Sequence, residues 1–178
     1  MIVCAGDIES FKFAEPIGIG LVSSSINLTR MCLFDKPEYI LFIGTAGSYG
    51  EHEIFDIVES KRAANLELSF LTNDSYTPID NVLESENKFV RNDTIINSSN
   101  YITTNDELGK KYNEFGIGAE NMEFFSVLAV AKQFEIPVAG IFAITNYTNK
   151  NAHEDFKKNH KHAMGRLTKY LLEKKIIQ

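Results

Sequence analysis

The chain has 178 residues, 44% of them hydrophobic, and a formal net charge of −6 at pH 7. This length allows one domain with a substantial core, and the composition is ordinary for a soluble globular protein. The acidic balance argues against a nucleic-acid surface, which would need a basic face, but it does not exclude a small anion bound at backbone N–H groups.

Two further classes of protein have no support in the sequence. No apolar run approaches the roughly 20 residues of a membrane span. Neither a CxxC nor an HExxH motif occurs, so no metal site is predicted. The two cysteines, Cys4 and Cys32, lie in apolar contexts and no signal peptide is visible, so we expect a reduced, cytoplasmic protein.

The first half of the chain alternates between apolar runs and one helical pattern. The runs predict strands at residues 1–5, 39–43, 54–59 and 64–71. The spacing of apolar residues predicts a helix at residues 21–33. We expect this helix to end before Pro37, because proline disfavours helical geometry in the residue before it. Small-residue turns are expected after the first two strands, at Gly6-Asp7 and at residues 44–48.

The second half begins with a polar stretch, residues 72–92, for which we expect an irregular surface excursion. Short apolar runs then predict strands at residues 94–98, 117–119 and 138–144. Helical spacing predicts helices at residues 106–115, 122–134 and 153–175. This alternation predicts an α/β fold with one domain over residues 1–178 and a mostly parallel sheet.

Ligands in such sheets bind beyond the carboxyl ends of the strands. The segments that qualify are Gly6, residues 44–48, residues 98–102 and the polar residues at 145–149. Glu123 joins them, because it lies at the predicted start of an apolar helix. His153, His160 and His162 lie among lysines on a polar helix face, so we expect them to be solvated and assign them no role.

Five segments in order resemble the nucleoside phosphorylase family, which includes purine nucleoside phosphorylase, uridine phosphorylase and methylthioadenosine/S-adenosylhomocysteine nucleosidase. They are residues 2–7 (Ile-Val-Cys-Ala-Gly-Asp), 18–22 (Gly-Ile-Gly-Leu-Val), 43–47 (Ile-Gly-Thr-Ala-Gly), 100–102 (Asn-Tyr-Ile), and the pair 122–123 (Met-Glu) and 143–146 (Ala-Ile-Thr-Asn). The resemblance implies a three-layer sandwich with a central mixed sheet. It also implies a shortened amino-terminal region, compressed between Gly6 and Gly18.

The resemblance implies roles for six residues in cleaving an N-glycosidic bond. Glu123 would bind two ribose hydroxyls and favour the cationic ribosyl group, while Met122 packs against the sugar and Asn121 joins the substrate contacts. Tyr101 would stack on the base and the backbone of Ile102 would bond to its edge.

Asn146, the second expected catalytic residue, stands where relatives often have an aspartic acid that protonates purine N7. An asparagine cannot act as an acid, but its amide can bind N7 and a 6-oxo group together. The resemblance therefore implies 6-oxopurine nucleosides such as inosine and guanosine.

The nucleophile is left open between phosphate and water. Gly6, Gly44 and Thr45 could offer backbone N–H groups and a hydroxyl to phosphate. The positions of two phosphate-binding arginines of bacterial phosphorylases hold Phe42 and Ser10. Arg30, Arg62, Arg91 or a neighbouring subunit could substitute for them. Glu9 stands close to the water-activating glutamate of nucleosidases.

The first interpretation is therefore a purine nucleoside phosphorylase, a transferase of purine salvage that releases free base and ribose 1-phosphate. Phosphate would be a co-substrate, and no cofactor is implied. The alternatives are a hydrolytic nucleosidase and a non-catalytic nucleoside-binding protein on the same scaffold. Family members assemble as dimers or hexamers, so the resemblance also implies a homo-oligomer.

Overall fold

The computed structural model describes residues 1–87, 90 and 93–178, and its described strands form one nine-stranded sheet. The strands are β1 (Ile2–Cys4), β2 (Glu15–Pro16), β3 (Ile40–Ser48), β4 (Ile57–Ser60), β5 (Arg62–Ala64), β6 (Val82–Glu84), β7 (Ile95–Ser98), β8 (Ile117–Asn121) and β9 (Val138–Tyr147). The helices are α1 (Gly20–Asp35), α2 (Leu68–Leu71), α3 (Asp106–Glu114), α4 (Phe124–Gln133) and α5 (Ala152–Glu173).

Strand β3 is the centre of the sheet. It pairs with β9 along its whole length, while its other edge pairs with β1 at the start and β8 at the end. The path then runs through β8, β7, β5 and β6. Most pairs are parallel, and β3–β8, β4–β9 and β5–β6 are antiparallel. The predicted α/β fold with a mixed, mostly parallel sheet is confirmed.

Helices cover both faces of this sheet, which explains why β3 and β9 are apolar on both sides. Helices α1 and α4 pack on one face around Phe42 and Phe142. Helix α5 packs on the other through Leu167 and Leu171. Each fully buried side chain of this size contributes roughly 1.5–3 kcal/mol. The carboxyl ends of β3 and β9 are therefore held firmly, and those ends carry the candidate site.

The predicted turn at residues 44–48 is wrong, because these residues are the last part of β3. Gly44, Ala46 and Gly47 are poor strand formers, but the pairing of nine residues of β3 with β9 overrides that preference. The small size instead serves packing: a Cβ on Gly47 would lie 2.9 Å from Asn146 Nδ2.

Two other expectations need correction. Residues 68–71 form the short helix α2 rather than a strand, and the strand predicted at 54–59 begins only at Ile57. The excursion at 72–92 is not wholly irregular, because β6 pairs with β5 and the side chains of Ser85 and Asn87 are buried. Residues 88, 89, 91 and 92 of that stretch lie outside the described residues.

The segment between β1 and α1, where a shortened region was expected, contains only the two-residue strand β2 among its regular elements. None of the helices among the described residues is long and apolar enough to cross a bilayer.

Candidate active site

A cavity of about 240 Å³ lies at the carboxyl ends of β3 and β9 and next to the end of β8. Eight of the nine residues predicted for the site line it: Gly6, Thr45, Tyr101, Ile102, Asn121, Met122, Glu123 and Asn146. Gly44 does not. It lies within β3 opposite Phe142, and the ring of Phe42 covers its Cα. The structure thus brings together residues that are more than 100 positions apart in the sequence.

Glu123 is the N-cap residue of α4 and is 4% exposed. Its side chain does not cap its own helix. Instead Oε1 accepts the backbone N–H of Gly20 at 2.9 Å, and Oε2 accepts Asn121 Nδ2 and the Met122 N–H, each at 3.2 Å. The pKa of Glu123 is raised to about 7: burial and the nearby charge of Glu9 raise it, and the bonds from the Gly20 and Met122 N–H groups lower it in part. Glu123 therefore titrates near neutral pH.

Glu9 reaches the cavity because the chain turns back on itself after β1. Gly6 has a φ of 97° and Asp7 a φ of 53°, and the Glu9 N–H donates to the Gly6 carbonyl at 3.0 Å. Only glycine suits the first position, since a Cβ there would also lie 2.9 Å from the Cβ of Pro16. The turn aims the Glu9 carboxylate at β3.

The carboxylate of Glu9 occupies both donors of Thr45. Its Oε1 accepts the Thr45 N–H at 3.1 Å and also a hydrogen bond from the Thr45 hydroxyl. Burial raises the pKa of Glu9, while the bonds from Thr45 and the charge of His160 lower it in part. The two Thr45 donors predicted to hold phosphate are thus engaged by a carboxylate of the same chain.

Asn146 lies near the end of β9, with its amide facing Gly47. Its Oδ1 accepts the Thr145 hydroxyl at 2.8 Å, and its Nδ2 donates to the Tyr147 carbonyl at 3.2 Å. The Tyr147 carbonyl can only accept, so this bond identifies Nδ2 as the end of the amide near Gly47. One N–H of Nδ2 is left for a ligand.

The lining residues that the sequence analysis missed include Glu120, His153 and Phe156. Glu120 lies on β8 and is 7% exposed. The alternation of side chains along a strand could have indicated which face Glu120 occupies. The local sequence could not show that Glu120 pairs with Gly47 of β3. His153 and Phe156 come from the first turns of α5, and the ring of Phe156 stacks on His160. His160 is therefore not simply solvated.

The cavity is acidic. Asp7, Glu9, Glu120 and Glu123 line it, and among its described lining residues there is no lysine or arginine. Of the arginines proposed for phosphate, Arg62 pairs with Asp93 and Arg30 is exposed on α1. Arg91 lies outside the described residues. Such a site favours a positively charged reacting group over an anion.

The mouth of the cavity carries exposed apolar groups. Tyr101 is 81% exposed and Ile102 51% exposed.

A second, larger cavity of about 970 Å³ lies at the opposite end of β3 and β9. Its lining includes Asn87 and Val90, which flank residues outside the described ranges, so we assign it no role. Among the described residues, no group of three or more His, Cys, Asp or Glu side chains could hold a metal ion.

Residues 2–174 match the sequence profile of the phosphorylase superfamily. The chain belongs to this superfamily. Membership confirms the family resemblance noted from the five segments. Among curated proteins, no significant sequence match was found.

Solved structures with the same fold include several members of the phosphorylase superfamily. A Helicobacter pylori MTAN variant with 5′-methylthioadenosine in its active site is 22% identical, with a TM-score of 0.77 over 90% of this chain and 78% of that chain. A Streptococcus pneumoniae MTA/SAH nucleosidase with 8-aminoadenine is 18% identical, with a TM-score of 0.77 over 96% of both chains. Futalosine hydrolase of Helicobacter pylori is 21% identical, with a TM-score of 0.76 over 89% and 76%. At these identities the likeness shows the fold.

The buried carboxyl groups predict how the stability of this superfamily member varies with pH. Burial raises the pKa of Glu9, Glu120 and Glu123 above the usual 4.5. The folded protein then binds more protons than the unfolded chain, so stability is full below about pH 4.5 and is lost as pH rises towards 7. For Glu123, the shift from 4.5 to about 7 corresponds to about 3 kcal/mol.

Urea unfolding at pH 5 and pH 8 measures this effect. We expect a lower free energy of unfolding at pH 8, and a smaller difference between the two pH values in Glu123→Gln. A free energy of unfolding that rises between pH 5 and pH 8 would contradict the expectation.

Proposed function

We propose that this protein is a hydrolytic nucleosidase that cleaves the N-glycosidic bond of purine nucleosides. Nucleoside and water would give free base and free sugar. One observation carries the proposal: the Glu9 carboxylate, held by both donors of Thr45, lines the same cavity as Glu123. This arrangement provides a general base for water and an anion for the sugar, with no lysine or arginine among the described lining residues.

In this mechanism the C–N bond to the base breaks as positive charge builds on the sugar. Ionised Glu123 would accept hydrogen bonds from the sugar hydroxyls and stabilise that charge. Water would attack the anomeric carbon while Glu9 takes one of its protons. The base would leave with the electron pair of the broken C–N bond and take up a proton from solvent. The raised pKa of Glu9 brings it closer to the operating pH, where a general base is most effective.

Charge is the main argument against phosphate as the nucleophile. A phosphate at Thr45 would have to displace the Glu9 carboxylate from the N–H and the hydroxyl. It would also lie beside a negative charge without a compensating arginine or lysine among the described lining residues. The names of the structural neighbours, nucleosidases and a hydrolase, point the same way. We therefore favour hydrolysis over the phosphorolysis expected from the sequence.

The absence of an acid at position 146 predicts that turnover is limited by departure of the base. Asn146→Asp should raise kcat about tenfold or more, because the new side chain can protonate the base. The Tyr147 carbonyl, 3.2 Å from Nδ2 in the native protein, would favour the protonated acid. Steady-state release of base measures the effect. Asn146→Ala is the matched control and should be slower than the native protein. An Asn146→Asp protein no faster than native would contradict this role.

Release of base with and without phosphate tests the proposed function. Suitable substrates are inosine and adenosine. Two more are 5′-methylthioadenosine and futalosine, which occur in the names of proteins or complexes with a similar structure. Release that does not depend on phosphate supports hydrolysis. Release that requires phosphate would instead identify a phosphorylase. Binding without release would identify a non-catalytic nucleoside-binding protein.

We further propose that the protein is a homo-oligomer in which a second copy covers the cavity mouth. Tyr101 and Ile102, together with Ile8 at 53% exposed and Ile19 at 49% exposed, form an apolar rim there. Light scattering in solution tests the proposal, and a strictly monomeric protein would overturn it.

A further inference from the structure

Glu120, Gly47 and Asn146 form one row across three neighbouring strands. Gly47 of β3 pairs directly with Glu120 of β8 on one side and with Asn146 of β9 on the other. A Cβ built on Gly47 would lie 2.9 Å from Asn146 Nδ2 and 3.5 Å from Glu120 Cγ. The carboxyl and the amide therefore flank the same space, on one face of the sheet, and both line the cavity.

The amide side of this space presents a hydrogen-bond donor. Thr145 and the Tyr147 carbonyl set the orientation of the Asn146 amide, which places Nδ2 towards Gly47. An amide nitrogen carries two hydrogens, and the Tyr147 carbonyl accepts one. The second is available to a ligand atom that accepts a hydrogen bond.

The carboxyl side presents an acceptor. Glu120 Oε1 accepts the Thr103 N–H at 2.9 Å, and Oε2 accepts the hydroxyls of Thr103 and Tyr49, each at 2.7 Å. The Thr103 N–H can only donate, so Oε1 of Glu120 is an acceptor in this bond. A carboxylate has about four acceptor sites, so Oε1 retains one. The three bonds also fix the orientation of the carboxylate beside the cavity.

We propose that Glu120 determines base specificity, reading a purine edge together with Asn146. The inference rests on the proposed function, because it places the base of the nucleoside over Gly47. An adenine edge offers an acceptor at N7 beside a donor at the 6-amino group, whereas hypoxanthine and guanine offer two acceptors. The donor of Asn146 and the acceptor of Glu120 match the adenine edge. The site then selects 6-aminopurines, unlike the 6-oxopurines expected from Asn146 alone.

Gly47 is the residue that makes this pairing possible. Any side chain there would displace the Asn146 amide, since even a Cβ would approach it to 2.9 Å. The same Cβ would fill the space where the base edge is placed. Gly47 lies between the strand that carries the donor, Asn146, and the strand that carries the acceptor, Glu120. Because glycine has no side chain, the edge of a purine ring can enter between these two groups.

Calorimetric binding of 9-methyladenine and 9-methylhypoxanthine tests the proposal in the intact protein. Neither compound has a glycosidic bond, so the measurement does not depend on hydrolysis. We expect the native protein to bind 9-methyladenine at least tenfold more tightly. Glu120→Gln should weaken 9-methyladenine about 10- to 100-fold, the loss expected for a hydrogen bond to a charged group, and leave 9-methylhypoxanthine within about threefold.

Glu114→Gln is the matched control. It makes the same chemical change at an exposed glutamate at the end of α3, outside the cavity lining, so the preference between the two bases should persist. Glu120→Asp is the second variant, which keeps the charge but withdraws it from Gly47. It should also reduce the preference, and it keeps the test open if Glu120→Gln does not fold by circular dichroism.

Three results would overturn the proposal: equal loss of both ligands in the Glu120 variants, preference of the native protein for 9-methylhypoxanthine, or no measurable binding of either base at millimolar concentration. Selective binding without nucleoside hydrolysis would sink the proposed function alone. Hydrolysis without selectivity would sink the role of Glu120 alone.

Discussion

Glu9→Gln should lower kcat for nucleoside hydrolysis about 10²–10⁴-fold, the range typical of losing a general base. Glutamine keeps an oxygen that can accept the hydrogen bonds of Thr45, so the fold and the cavity should persist. It cannot take a proton from water. We therefore expect KM to change much less than kcat, because the substitution removes a step in the reaction rather than a substrate contact.

The pH profile of Glu9→Gln provides a second readout. The pKa of Glu9 and that of Glu123 are both raised, and the two charges interact. The fall of kcat/KM at acidic pH therefore reports the titration of both carboxyl groups together. In Glu9→Gln, where position 9 no longer titrates, it should report a single titration. Glu114→Gln is the matched control, an exposed glutamate at the end of α3 far from the cavity lining. Native activity in Glu9→Gln would exclude it as the base.

Glu123→Gln should cost at least 10²-fold in kcat/KM. In the proposed mechanism, the substitution removes the negative charge that would face the cationic sugar, and contacts of this kind act mainly in the transition state. The Gly20 N–H can still bond to the glutamine oxygen, so the start of α1 should keep its position. The loss should therefore appear in catalysis while thermal stability at neutral pH is retained.

Steady-state kinetics with a purine nucleoside measure this loss, and Glu114→Gln again serves as the control. Glu123→Asp should recover part of the activity, since it restores the charge at a shorter reach. Unchanged kinetics in Glu123→Gln would rule out the role of Glu123 in holding the sugar.

Residues whose positions depend on local chain geometry were predictable from the sequence. Met122 and Glu123 end a strand and begin an apolar helix, and this short connection alone places them at the carboxyl edge of the sheet. Asn146 follows the continuous apolar run of β9 and lies near the end of that strand, so it was located in the same way. The α/β class followed from the alternation of apolar runs and helical patterns.

What the sequence missed depends on pairing between distant segments. The register of β3 with β8 and β9 decides that Glu120 faces Asn146 across Gly47, and no local pattern encodes that register. The same pairing converted an expected turn at 44–48 into strand. The direction of the Glu9 side chain depends on two positive φ angles in the turn after β1, at Gly6 and Asp7. The sequence pattern did not predict these angles.

The attachment of Glu9 to Thr45 separates the position of the reactive group from the loop that carries it. Residues 7, 8 and 10 of that loop are exposed. The Glu9 carboxylate, however, is bonded to β3, the central strand, which pairs with β1, β8 and β9. Substitutions and deletions further along the connection to α1 can then accumulate without moving the carboxylate. Such anchoring would let a member of this superfamily shorten the link between its first strand and first helix and still keep Glu9 beside Glu123 in the candidate site.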